Sequence, residues 1–137
     1  MTTIKTGSWD SIHWESLRRG VELAEISSTK EMSCRLFRVQ NQHEVRPVSH
    51  SSDQIILFLA GEGDYYVAGK PYRLTSGSWI TVPAGAEHYV YVYNSPEPCL
   101  FAEFCAPASP PPLGELPDLP VRSSPRRYSS RSALKKR

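Results

Sequence analysis

Residues 77–88 read Gly77-Ser-Trp-Ile-Thr-Val-Pro83-Ala-Gly85-Ala-Glu-His88, and their layout decides the fold. Ser-Trp-Ile-Thr-Val is β-branched and aromatic, so it reads as a strand. Pro83-Ala-Gly85 supplies a fixed φ and then a residue free to take positive φ, so the chain turns tightly there. His88 opens the next run, His-Tyr-Val-Tyr-Val-Tyr over 88–93, whose period of two puts His88, Val90 and Val92 on one face and Tyr89, Tyr91 and Tyr93 on the other. The tyrosine stripe therefore faces away from whatever His88 faces.

Working outward, residues 20–28 and 31–39 predict a hairpin closed by a short Thr-Lys turn. Residues 40–52 are polar and contain Pro47, which predicts a loop. Asp53–Ala60 predicts a strand with Gln54, Ile56 and Phe58 on one face and Ile55, Leu57 and Leu59 on the other. Both faces are apolar, so the outer one needs cover, and a homodimer is the expectation. The pieces Asp-Tyr-Tyr-Val (64–67), Tyr-Arg-Leu (72–74) and Leu100–Cys105 complete a series of short strands with turn signals about every ten residues, the spacing of an all-β barrel or sandwich. Alternation does not decide between Tyr65 and Tyr66 as the inward residue. The lead-in over residues 1–19 holds Trp9, Ile12, Trp14 and Leu17 and is expected to pack its indole rings on the barrel.

A chain of 137 residues suits one domain, here residues 1–107. No apolar run is long enough for a membrane span and no signal-peptide layout opens the chain, so a cytoplasmic location is expected. Three cysteines without CxxC spacing suggest small buried hydrophobes, neither a disulfide framework nor a zinc knuckle. The net charge of +2 is uneven: residues 106–137 carry seven Lys/Arg against Glu115 and Asp118, leaving the part before them at −3. A mildly acidic domain lacks the positive surface that phosphate backbones require, so no nucleic-acid partner is expected. Residues 108–137, rich in Pro, Ser and basic residues, are expected to be a disordered, solvated tail.

Gly77-x5-Pro83-x-Gly85-x2-His88 resembles the second motif of the cupin superfamily at every position but the last, where Val92 replaces Asn. The first motif is matched less fully: Val48-x-His50-x3-Gln54-x6-Gly61 has Val48 in place of one histidine and Gln54 in place of the glutamate. The resemblance spans about residues 20–107. It implies a single-domain cupin β-barrel, a double-stranded β-helix of jelly-roll type, with metal ligands at His50, Gln54 and His88. Imidazole and an amide oxygen suit Zn, Mn, Fe, Co or Ni alike. Glutamine also occupies that position in some non-oxidative cupins, and a neutral amide leaves the cation's charge uncompensated. That favours polarising a carbonyl over iron dioxygenase chemistry.

Glu103 alternates with Phe101 and Cys105 on the face that looks inward in such a barrel. An interior carboxylate either holds a raised pKa, which suits a general base, or pairs with a cation such as Arg35, Arg38, Arg46 or Arg73. Uronate-processing cupins carry a Phe and an Arg after the corresponding acid, where this chain has Cys105 and Ser109, so that substrate class is not implied. No Ser-His-Asp or Cys-His arrangement fits these spacings. The expected function is a metal-assisted isomerase, lyase or cyclase acting on a small carbonyl compound, with Glu103 and His88 catalytic; polyketide cyclases are one such subclass. The alternatives are a sensor-like cupin that binds a small ligand without turnover and, third, a metal-dependent dioxygenase.

Overall fold

The computed structural model describes residues 3–109; of the tail expected over 108–137, residues 110–137 lie outside the described residues. Nine strands run in chain order: β1 Glu15–Arg18, β2 Val21–Ser28, β3 Ser33–Val39, β4 Asp53–Ala60, β5 Gly63–Val67, β6 Lys70–Leu74, β7 Trp79–Val82, β8 His88–Tyr91 and β9 Cys99–Ala106. They form two antiparallel sheets, one ordered β1-β2-β3-β9-β4-β7 and the other β6-β5-β8. The architecture is all-β, as the turn spacing predicts. No helix among the described residues is long and apolar enough to cross a membrane.

The inner faces enclose a core of Val21, Val39, Ile56, Phe58, Tyr65, Leu74, Val82, Val92, Cys99 and Phe101. Phe101 lies between Phe37 and Phe58, its ring centre 5.1 Å from one and 5.3 Å from the other, near-parallel to both. Burial in β4 follows the predicted period: Gln54, Ile56 and Phe58 are inside, while Ile55 and Leu59 are exposed. Register extends that apolar outer face sideways, since Ile55 stands opposite Phe104 and Leu57 opposite Trp79. Phe104 and Trp79 are exposed as well.

Three local expectations need correction. The β2–β3 turn spans residues 29–32, with Thr29 Oγ1 accepting the N–H groups of Glu31 (3.1 Å) and Met32 (3.3 Å), so β3 starts two residues later than predicted. The lead-in contains a strand, β1, whose irregular sequence hides it because the β1–β2 register shifts between Ser16 and Arg18. Trp14 does pack, beneath the Arg38 guanidinium at 4.0 Å and against the small cluster of Ala24, Leu36 and Ala102. Trp9 does not, and is 67% exposed.

The 40–52 loop is tied down by its backbone. Gly20 takes φ +76°, and a Cβ there would sit 2.8 Å from His43 Cβ, so the loop crosses where only glycine leaves room. Gln40 N–H bonds Gly20 O at 2.8 Å and Glu44 N–H bonds Arg19 O at 2.9 Å. At its far end Val48 and His88 exchange two backbone hydrogen bonds (3.1 and 2.8 Å), and Gly85 N–H reaches His50 O at 2.7 Å.

Candidate active site

That backbone pairing sets the histidines. The Pro83–Gly85 turn, with Gly85 at φ +86°, delivers His88 to the inner face at the start of β8, and the Val48–His88 bridge brings His50 alongside. The two rings lie 5.1 Å apart, tilted by 42°. His88 Nδ1 lies 2.9 Å from Ala86 O, so the proton sits on Nδ1 and donates to that carbonyl. Nε2 is left with a bare lone pair, buried and without a partner among the described residues. Burial lowers the His88 pKa, and lowers that of His50 to about 4 with help from His88 and Arg35. Both imidazoles are therefore neutral near pH 7, the form that ligates a metal.

Glu103 comes from β9 on the opposite sheet. One candidate ligand atom from each of His50, His88 and Glu103 lies within 4.8 Å of the other two. Glu103 is 4% exposed, and burial raises its pKa while Arg35 opposes the rise. Both alternatives read from the sequence thus hold together. Its partner among the four arginines is Arg35, directly across the β3–β9 register, with Nη1 donating to Oε1 at 3.2 Å. Arg35 is 1% exposed, and it also donates from Nε to Glu25 (3.1 Å) and from Nη2 to the Ser109 carbonyl (2.6 Å). Ser109, assigned to the tail by composition, is buried: its N–H bonds Ser33 Oγ at 3.2 Å and its Oγ lies 3.5 Å from His50 Nδ1. The folded part therefore runs at least two residues past 107.

The choice between the adjacent tyrosines is settled by β5 register. Tyr65 faces in, its ring near-parallel to His88 with centres 6.2 Å apart and edge-on to Phe58 and Phe101. Burial, then the Glu103 charge, pushes its phenol well above the usual value, so it keeps its proton. Tyr66 stacks on Tyr89 at 4.8 Å on the other face.

These side chains wall a cavity of about 80 Å³ whose lining includes His50, His88, Glu103, Tyr65 and Val48. That is ample for several waters or a small ligand, since one water needs only about 10–15 Å³. Val48 offers no donor. Gln54 does not line this cavity; it is 3% exposed, opposite Cys105 in the register and so diagonal to Glu103 on the same inner face. Its amide oxygen and nitrogen are both buried with no nitrogen or oxygen partner among the described residues, and only the Cys105 thiol stands beside the amide. Leaving such atoms unsatisfied costs on the order of 1–3 kcal/mol each. The unpartnered acceptor on His88, beside His50 and Glu103, fits a bound cation.

Sequence reasoning passed over His43, Arg18 and the cavity role of Arg46, and no motif flags them. His43 is buried; its Nδ1–H donates to Glu44 O at 2.8 Å and its Nε2 accepts the Val92 N–H at 3.1 Å. Burial lowers its pKa to about 4. Arg18 is lowered to about 10, first by burial, then by the like charge of Arg46, against the pull of Glu44.

Comparison with known proteins agrees with this fold. Residues 35–105 match the cupin domain family model. The dimethylsulfoniopropionate lyase DddW of Ruegeria pomeroyi is 28% identical over 102 residues, which are 74% of this chain and 63% of the lyase, so the chain spans less than two thirds of that relative. An RmlC-like cupin from Shewanella frigidimarina superposes with TM-score 0.68 at 19% identity, covering 77% of this chain and 93% of the other. The polyketide cyclase RemF of Streptomyces resistomycificus gives TM-score 0.65 at 16% identity, with 80% and 83% covered. At those identities the two structures speak for the fold alone. With the family model spanning both motifs and most of the sheet that carries Glu103, the chain belongs to the cupin domain family.

Proposed function

We propose that this chain is a metal-assisted lyase acting on a small carbonyl or carboxylate compound. The observation that carries the reading is the convergence of His50, His88 and Glu103 within 4.8 Å in a small interior cavity. His50, His88 and Gln54 would hold the cation. Gln54 is preferred to Glu103 as third ligand because Arg35 already engages Glu103 and offsets its charge, whereas the buried Gln54 amide, on the same inner face, meets only the Cys105 thiol. A divalent cation bound there supplies Lewis-acid polarisation of a substrate oxygen.

Glu103 is the proton carrier. Arg35 holds its Oε1, which fixes the carboxylate and leaves Oε2 to take a hydrogen α to the carbonyl as a proton. The C–H electron pair becomes the new C=C bond, and the leaving group departs with its own bonding pair. Tyr65, protonated, forms part of the cavity wall beside His88 and can donate a hydrogen bond to the substrate.

The same Arg35–Glu103 pair favours a second reading, a cupin that binds a small ligand without turnover, because a carboxylate already satisfied by a guanidinium suits a structural role.

The test is metal content and turnover of protein purified without chelator. Dimethylsulfoniopropionate is the first substrate probe, because the curated relative is a lyase of that compound, with dimethyl sulfide read by gas chromatography. Wild type is expected to carry roughly one ion per chain. His88→Ala and Gln54→Leu should lose the metal, while Glu103→Gln should keep it and lose about 100-fold or more in turnover. Wild type without metal refutes the lyase reading; metal retained by Gln54→Leu refutes the ligand assignment. Metal with no turnover on any small acid favours the binding module.

A further inference from the structure

Two cations on the cavity wall take no part in the His50, His88 and Glu103 cluster. Arg18 ends β1, where the register shift lets both Leu17 and Arg18 line the cavity, against strict alternation. Bulges commonly re-aim a side chain in this way beside functional sites. Arg46 reaches the same cavity from the loop pinned to β1 through Arg19 and Glu44. The Nε of each guanidinium is buried and has no hydrogen-bond partner among the described residues. Arg18 forms no ion pair there at all, while Arg46 Nη2 holds Glu44 at 2.8 Å.

The charges facing this wall leave a surplus. Arg18, Arg35 and Arg46 line the cavity against Glu44 and Glu103, one cation more than carboxylates; Glu25, which Arg35 also reaches, lies outside the lining and has a 42% exposed side chain. His43 is neutral and fully engaged. Arg18 and Arg46 share Glu44 alone. Two partly buried guanidiniums that repel each other around one carboxylate lack one anion, and a buried charge without a partner is expensive.

We propose that Arg18 and Arg46 form an anion subsite that holds the carboxylate of the substrate, which makes the ligand of this cavity a small organic acid. Guanidinium nitrogens in a planar fork match a carboxylate in two parallel hydrogen bonds, and the two unpartnered Nε–H groups are donors already desolvated and waiting for an acceptor. The cavity is small, about 80 Å³, which suits a short-chain acid. The inference rests on the lyase reading only in taking this cavity as the substrate's; anion binding needs neither metal nor turnover.

The experiment therefore uses metal-stripped full-length protein, titrated by NMR with propionate and with its neutral isostere propionamide. Propionate is expected to bind at least about tenfold more tightly than propionamide, and Arg18→Gln and Arg46→Gln each to erase about tenfold of that preference, with thermal melting confirming that the variants fold. If a glutamine variant does not fold, Arg→Lys at the same position carries the test, since it keeps the charge and loses the fork: about threefold or more loss supports the subsite. Equal binding of the acid and the amide, or unchanged propionate affinity in the variants that fold, overturns it. Protein that prefers propionate through these arginines yet carries no metal refutes the lyase and leaves the subsite standing.

Discussion

Replacing Arg35 with methionine removes the cation that lets Glu103 stay inside the barrel, and the cost can be worked out bond by bond. Glu103 is 4% exposed and Arg35 1%, so truncating one partner strands a buried carboxylate, a loss of about 3–5 kcal/mol. The Ser109 carbonyl loses its 2.6 Å donor, adding about 1–2 kcal/mol. Glu25 contributes little, because 42% of its side chain is exposed. The sum, about 4–7 kcal/mol, is a large share of the 5–15 kcal/mol typical of a domain. Urea unfolding in EDTA at pH 7.5 measures it without interference from metal. The double variant Arg35→Met/Glu103→Leu should recover most of the loss, since an apolar pair of similar volume replaces a buried ion pair at small cost. Arg35→Met within about 1 kcal/mol of wild type, or a double variant as unstable as the single, would refute the buried-pair reasoning.

Three further outcomes are expected. His43 has its folded pKa lowered from 6.5 to about 4, so the unfolded chain takes up a proton first as pH falls. Its stabilising contribution, complete above pH 6.5, declines toward pH 4 by about 3 kcal/mol; melts from pH 7.5 to 4.5 should show His43→Gln with a shallower slope, and parallel slopes would count against the assignment. Gly20→Ala forces a positive φ and a 2.8 Å contact with His43, and should destabilise by about 2–4 kcal/mol in denaturant titration, whereas a neutral effect would mean the loop crossing is loose. If a second copy covers the outer face of β4, β7 and β9, size exclusion gives a dimer that Ile55→Lys splits; a monomeric wild type ends the homodimer expectation.

Where a pattern was local, the sequence was enough. Alternation in 53–60 placed Gln54, Ile56 and Phe58 inside, and the Gly77–His88 stretch located the turn and the histidine it delivers. Pairings between distant strands were not legible. Arg35 was one of four equal partners for Glu103 until the β3–β9 register set them opposite each other, 68 residues apart in the chain. β1 stayed hidden because a register shift breaks the period that reveals a strand, and that same irregularity turns Arg18 toward the cavity. Composition placed Ser109 in a tail, but a single residue can be captured by backbone bonds that composition does not register.

The bridge between Val48 and His88 is made wholly by main-chain atoms. His88 is therefore held in place by a partner whose side chain is immaterial to the holding. The scaffold and the ligand inventory are separable here: a donor can be gained or lost at position 48 while the other imidazole keeps its station. A barrel wired this way can change the side chain at position 48 by single substitutions, without first dismantling the frame that aims His88.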